Sequence, residues 1–128
     1  MKPLYKSIET ITHDSKVSNS SPILEMVKYA ALNSLYDSKS NTKNLIFVSD
    51  MLHHTKTYSH YKGDFDYEKF SQSSYGINQA PLLSDVNITI LYLNRPKYNN
   101  LQTRSHIGFW EKHFNDNGGY VSHVLRVN

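Results

Sequence analysis

The segment Leu45-Ile46-Phe47-Val48 holds four consecutive apolar residues with no alternation between apolar and polar positions. A strand with one face in water alternates, whereas a strand inside a parallel sheet is buried on both faces and reads as a continuous apolar run. Residues 86–93 are also apolar and rich in β-branched side chains, and residues 120–127 resemble them. These three segments predict the strands of a parallel β-sheet.

Helical patterns separate the predicted strands. Ser21-Pro22 is a typical helix start, since Ser caps helices and Pro fits the first helical position, and an apolar stripe continues to about residue 36. Residues 105–117 form a second amphipathic pattern. This order predicts an α/β fold with three layers and a mostly parallel, Rossmann-like sheet. At 128 residues and 14.8 kDa, we expect residues 1–128 to form one domain.

Two regions complete the predicted layout. Residues 3–12 carry apolar side chains at helical spacing and predict a short helix. Residues 51–85 are too long for an ordinary loop and predict a crossover helix at about 66–72 or 78–83. With three strands, the apolar strand at 45–50 would lie at a sheet edge, which is an aggregation hazard. We therefore expect that N-terminal strands are missing, or that a partner or a second copy completes the sheet.

Composition excludes several classes of protein. The 14 Lys and Arg residues face 11 Asp and Glu residues, a net charge of +3, and they are scattered rather than clustered as in nucleic-acid binders. No apolar run is long enough to insert into a membrane, and the first residues lack the apolar core of a signal peptide. The absence of cysteine excludes disulfides and a thiol nucleophile. These features do not indicate in which cellular compartment the protein is found.

Short segments along most of the chain carry a family resemblance. They are Ser20-Ser21-Pro22-Ile23-Leu24-Glu25, Leu45-Ile46-Phe47-Val48-Ser49-Asp50-Met51-Leu52, Ile90-Leu91-Tyr92-Leu93, Phe109-Trp110 and Gly118-Gly119. Together they resemble the C-terminal portion of a bacterial von Willebrand factor A-like (vWA) domain. The resemblance implies a doubly wound α/β fold and a protein-binding function without catalysis, and related domains are often exported.

A metal site is also implied by this resemblance. The family binds a divalent ion at the carboxyl end of its central strands, using an Asp-x-Ser-x-Ser motif, a loop Thr and an Asp that ends the fourth strand. Asp50 matches the last of these, and a hydroxyl among Ser18, Ser20 and Ser21 stands where the Thr is expected. No Asp-x-Ser-x-Ser motif occurs in the chain. Since carboxylates, hydroxyls and water suit Mg²⁺, we expect a remnant Mg²⁺ site at Asp50, Ser20 and Ser21.

The loop after Asp50 is dense in His and Tyr, and residues 94–98 follow the next predicted strand. The carboxyl ends of parallel strands meet at one edge of a sheet, so both segments belong to the same rim. Tyrosines favour interfaces, and basic side chains can meet an acidic partner. The predicted partner-binding residues are His53, His54, Tyr58, His60, Tyr61, Arg95, Lys97 and Tyr98.

Two alternatives stay open at this point. The first is a metal-dependent hydrolase, because Asp50, His53, His54 and His60 are ligand types that bind transition metals. No Gly-x-Ser-x-Gly nucleophile motif and no phosphate-binding glycine pattern accompany them, so no catalytic residue is predicted. The second alternative is a truncated structural fragment without a ligand, whose open sheet edge pairs with a second copy of the chain.

Overall fold

The structure, a computed structural model, describes residues 6–12, 20–32 and 42–127, with residues 6–12 and 42 as backbone alone. In chain order the elements are β1 (Lys6–Thr12), α1 (Ile23–Ala30), β2 (Thr42–Ser49), α2 (Tyr67–Gln72), α3 (Ser74–Asn78), β3 (Val86–Leu93), α4 (Arg104–Asp116) and β4 (Tyr120–Val127). Single 3₁₀ turns occur at His60–Lys62 and Pro96–Tyr98. No helix in the described ranges is both long enough and apolar enough to cross a membrane.

The four strands form one sheet in the order β1-β2-β3-β4, and every neighbouring pair is parallel. Leu45 of β2 lies opposite Ile88 of β3, and Ile90 of β3 lies opposite Val124 of β4. The α/β class and the parallel sheet predicted from the sequence are therefore confirmed. The bounds of β3 and β4 match the prediction residue for residue.

The helix predicted for residues 3–12 is wrong, because residues 6–12 form the strand β1. Apolar residues at positions 8 and 11 fit a helix, but β1 gains its backbone hydrogen bonds from a neighbouring strand rather than from within its own segment. Since β1 pairs with β2, the apolar strand β2 lies between two neighbours and not at an edge. The expected defect at β2 is thus absent. Residues 33–41 lie outside the described part of the chain, and so do residues 13–19, which include the predicted ligand Ser18.

The crossover between β2 and β3 contains two short helices. The helix predicted for residues 66–72 is confirmed as α2, whose first turn is capped by the Asp66 carboxylate bonded to the Lys69 N–H at 3.2 Å. The alternative at 78–83 is wrong, since the second helix is α3. Ser73 begins α3 by accepting a hydrogen bond from the Gly76 N–H at 3.0 Å.

The core lies between the helices and one face of the sheet. Side chains of β2 and β3 alternate, and those that point toward the helices are buried, among them Leu45, Phe47, Ile88, Ile90 and Tyr92. They join residues of α1, α2 and α4 in a single hydrophobic cluster. Because strands added in sequential order by right-handed crossovers carry their helices on the same face, the described elements form two layers where the sequence predicted three.

Candidate functional site at the carboxyl edge of the sheet

The strands β2 and β3 end side by side, and polar residues follow both ends. Asp50 directly follows β2 and is almost completely buried. Arg95 follows β3, and its Nη1 atom lies 3.0 Å from Asp50 Oδ2. The second carboxylate oxygen, Oδ1, accepts a hydrogen bond from the Leu52 N–H at 3.0 Å. Burial alone would lower the pKa of Arg95, but the bond to Asp50 raises it above the ordinary value. The two residues therefore form an ion pair at the edge of the sheet.

Gln102 joins the two strand ends. Its Nε2 group donates to the carbonyl oxygens of Asp50, at 3.1 Å, and of Leu93, at 2.8 Å. Its Oε1 atom accepts a hydrogen bond from the Arg95 N–H at 2.7 Å. The buried amide thus fixes both residues of the ion pair through their backbones. Sequence reasoning missed Gln102, because a glutamine in a loop carries no local signal of this contact.

Aromatic side chains surround the ion pair. The guanidinium of Arg95 lies 4.9 Å from the centre of the Tyr98 ring, and the Lys97 ammonium lies 5.7 Å from the same centre. Tyr61 contacts Tyr98 edge to face at 5.0 Å, and His54 contacts Tyr61 at 5.3 Å. Burial, followed by the charge of Asp50, raises the pKa of Tyr61. We call this surface the rim, which comprises Asp50, His54, Tyr61, Arg95, Lys97 and Tyr98.

The predicted hydroxyl ligands lie next to the loop that carries His54. The Ser21 N–H donates to the His54 carbonyl at 2.7 Å, and the His54 N–H donates back to the Ser21 carbonyl at 2.9 Å. Ser21 is buried and Ser20 is exposed. Among the described residues, no three or more His, Asp or Glu side chains are arranged to hold a metal ion. The Arg95 guanidinium is a cation that touches the Asp50 carboxylate in this structure.

The backbone turns sharply just after Asp50. Met51 has a φ of 58°, a left-handed conformation that is uncommon for a residue other than glycine. Its carbonyl oxygen accepts hydrogen bonds from Trp110 Nε1 and from His106 Nε2, both at 2.8 Å. The Tyr92 hydroxyl completes the network at 2.6 Å from His106 Nδ1. We call these buried bonds the Met51 hub; they hold the strained turn in place.

His53 and His60, which the sequence predicts to bind a partner, lie inside the fold. Both side chains are fully buried, so a partner that binds the rim does not contact them. His53 Nδ1 accepts the Leu24 N–H at 3.2 Å, which leaves the proton on Nε2, 3.1 Å from the Tyr75 hydroxyl. That hydroxyl donates in turn to Glu25. His60 Nδ1 lies 3.2 Å from the His53 N–H.

Both histidines are held in the neutral state. Burial, followed by the nearby charge of His54, lowers the pKa of His53 to about 3. Burial, followed by the proximity of His106, lowers the pKa of His60 well below its ordinary value. Both nitrogens of His53 have polar neighbours within the chain. A hydrolase centre built on Asp50, His53, His54 and His60 would need these contacts to break.

Tyr58 lies on a different surface from the rim. Its ring is half-buried against Phe70, at 4.8 Å between ring centres, and against Phe109 at 6.0 Å. It lines an open cavity of about 380 Å³ between the loop that follows Asp50 and the helices α2 and α3. Burial, followed by the charges of Asp64 and Asp66, raises the pKa of Tyr58. The structure therefore divides the predicted partner-binding residues among the rim, the core and this cavity.

Comparisons with protein-family models, with curated proteins and with solved structures found no match. The class of protein is therefore defined by the fold alone: an α/β domain with a small, wholly parallel sheet and a polar, aromatic rim at its carboxyl edge.

Proposed function

We propose that this chain is a protein-binding module that contacts its partner through the rim, as the resemblance to vWA-like domains implies. The observation that carries the proposal is the Asp50–Arg95 ion pair beside Tyr98 and Tyr61. The carboxyl edge of a parallel sheet is where α/β proteins bind their ligands. Tyrosine and arginine are also the side chains that contribute most to protein interfaces.

The chemistry of the rim favours an acidic partner. Two cationic side chains, Arg95 and Lys97, lie within about 6 Å of the centre of the half-buried Tyr98 ring, as cation–π contacts require. A partner carboxylate near them gains charge-assisted hydrogen bonds. Asp50 is buried and balances the charge of Arg95, so the exposed Lys97 ammonium supplies the main attraction for a partner carboxylate. Binding without catalysis also agrees with the buried, internally bonded state of His53 and His60.

A titration with an acidic peptide tests this proposal. We expect a Gly/Asp hexapeptide to shift the backbone ¹H–¹⁵N resonances of residues 95–98 and Tyr61, with an affinity of order millimolar for so small a contact. Lys97→Glu combined with Tyr98→Ala should weaken binding about tenfold or more, because charge attraction and aromatic contact are both lost. Lys112→Glu, on an exposed part of α4, makes the same charge change away from the rim and should leave the shifts unchanged.

A Gly/Lys hexapeptide is the control for nonspecific contact. If both peptides shift the same resonances equally, or if neither shifts the rim, the rim is not an acidic-partner site and the proposal fails.

The remnant Mg²⁺ site is a separate proposal about the same edge. Arg95 Nη1 already occupies Asp50 Oδ2, so Mg²⁺ has to displace the guanidinium before it reaches the carboxylate. We therefore expect Arg95→Gln to bind Mg²⁺ at least about tenfold more tightly than the wild type, since it removes a competing charge. Asp50→Asn should abolish binding. Isothermal titration with MgCl₂ measures both effects. If Arg95→Gln takes up no Mg²⁺ at millimolar concentration, the metal site is wrong while the acidic-partner proposal stands.

A further inference from the structure

One face of the sheet is not covered by the helices of the described chain. Side chains on this face alternate with those in the core and belong to β2, β3 and β4. We call it the open face; its residues are Asn44, Ile46, Val48, Asn87, Thr89, Leu91, Leu93, Tyr120, His123, Leu125 and Val127. None of them belongs to the hydrophobic cluster, whose sheet residues all lie on the opposite face. Parallel sheets almost always have both faces covered, so this arrangement is unusual.

Residues that lie opposite one another on neighbouring strands form rows across the open face. Val48, Leu91 and Leu125 lie side by side across the three strands, and a further pair, Leu93 and Val127, lies beyond them. Leu125 is 51% exposed and Val127 is 39% exposed, although both are apolar. Apolar side chains are therefore contiguous at the carboxyl end of the open face, where they form a patch rather than isolated surface residues.

Polar residues fill the other half of the open face. Asn44, Asn87 and Tyr120 form one row, and Ile46, Thr89 and His123 form the next. No Asp, Glu, Lys or Arg occurs on this face in β2, β3 or β4, although the whole chain carries a net charge of +3. A strongly charged partner therefore gains nothing on these three strands, whereas two copies of the open face bring no fixed like charges together there.

We propose that the open face packs against the same face of a second copy of this chain. A two-fold axis parallel to the strands places each row on its counterpart. The leucine and valine rows then meet each other, and the asparagine and threonine rows can exchange hydrogen bonds. Two sheets packed in this way lie about 10 Å apart, as in sheet-on-sheet packing generally. The occupant is a second copy because the pattern of apolar and neutral polar rows complements itself.

The size of the face is sufficient for a specific dimer. Strands of seven or eight residues are about 26 Å long, and the whole sheet, with β1 included beside the open face, is about 19 Å wide at the usual rise and spacing. Each copy therefore contributes roughly 500 Å², and the pair buries about 1,000 Å², which is the lower limit for a specific interface. Both rims then lie at the same end of the dimer, which would let one dimer bind a divalent partner more tightly than a monomer.

Sedimentation equilibrium on the full chain, from about 1 to 200 µM, tests the proposal. We expect a monomer–dimer equilibrium for the wild type and about tenfold or more weakening for Leu125→Glu, because a charge buried between two sheets is costly. Ile77→Glu is the matched control: Ile77 is 64% exposed on α3, away from the open face, so its dimer constant should equal that of the wild type. Far-ultraviolet circular dichroism confirms that each variant is folded.

The variant Leu91→Thr distinguishes dimerisation through the open face from dimerisation through the exposed backbone edge of β4. Position 91 is on the inner strand β3, so the substitution weakens packing between faces and leaves strand pairing at β4 unchanged. We expect Leu91→Thr to weaken the dimer. If only Leu125→Glu does so, the copies pair through the edge and the proposal is wrong. A wild-type monomer throughout the concentration range also overturns it, and would mean that something other than a second copy covers this face.

Discussion

Acidification below about pH 6 is expected to unfold this chain cooperatively. Four histidines, His53, His60, His106 and His113, are almost completely or completely buried. Burial is the main cause that lowers the pKa of His106 and of His113 to about 4, as it lowers those of His53 and His60. Their hydrogen bonds with Tyr92, Tyr67 and backbone groups are made in the neutral state.

The sign of the effect follows from proton binding. In the unfolded chain these histidines have ordinary pKa values near 6.5. Below that pH the unfolded state therefore binds protons that the folded state does not bind. Stability is therefore complete above pH 6.5 and falls as the pH drops below that value, because the folded pKa of each of these histidines lies below its unfolded one. Each histidine contributes at most about 1.4 kcal/mol per pH unit. Four together give roughly 5 kcal/mol per unit, enough to exhaust the stability of a typical domain within about two units.

Urea unfolding between pH 7.5 and 4.5 measures this loss. Trp110 is the sole tryptophan and is fully buried, so its fluorescence reports the transition directly. His113→Phe should reduce the slope of unfolding free energy against pH by about a quarter. Lys112→Gln, at an exposed position on α4, should leave the slope unchanged. A free energy of unfolding that stays constant from pH 7 to pH 5 would contradict the neutral, buried state of the four side chains.

Gly76→Ala is expected to cost about 3 kcal/mol or more of folding free energy. A methyl group at this position would overlap the Phe70 carbonyl oxygen and lie 2.8 Å from the carbonyl carbon. The same oxygen accepts the Ser73 N–H and hydroxyl that connect α2 to α3. Because the obstacle is backbone, it cannot move aside as a flexible side chain would, and overpacking of this kind destabilises proteins.

Gly108→Ala is the matched control in the same chain. Gly108 lies within α4, and a methyl group there would meet no atom within 4 Å. Alanine favours a helix interior over glycine by up to about 1 kcal/mol, so this variant should be more stable than the wild type. Chemical denaturation of both variants measures the difference. If the two substitutions have the same effect, then α3 does not pack against the end of α2 as described.

Regular elements with a strong local pattern could be predicted from the sequence. β3 and β4 were predicted with their observed bounds, because runs of β-branched and apolar residues between turn residues favour strands. The helix α4 differs from its prediction by one residue at each end. Asp50 was correctly expected at the end of a buried strand, since the continuous apolar run before it identifies that strand as internal.

The tertiary structure decided what depends on contacts between distant residues. β1 is a strand because it pairs with β2, some 36 positions further along, and its own apolar spacing could not reveal that pairing. The bond from Arg95 to Asp50 spans 45 positions, and the Met51 hub joins residues up to 59 positions apart. His53 and His60 looked like surface residues, but both are buried: a backbone N–H donates to Nδ1 of each ring, and aromatic side chains pack against His60. Composition and periodicity thus determined β2, β3, β4 and α4, while the pairing of distant groups determined β1 and which polar residues reach the rim.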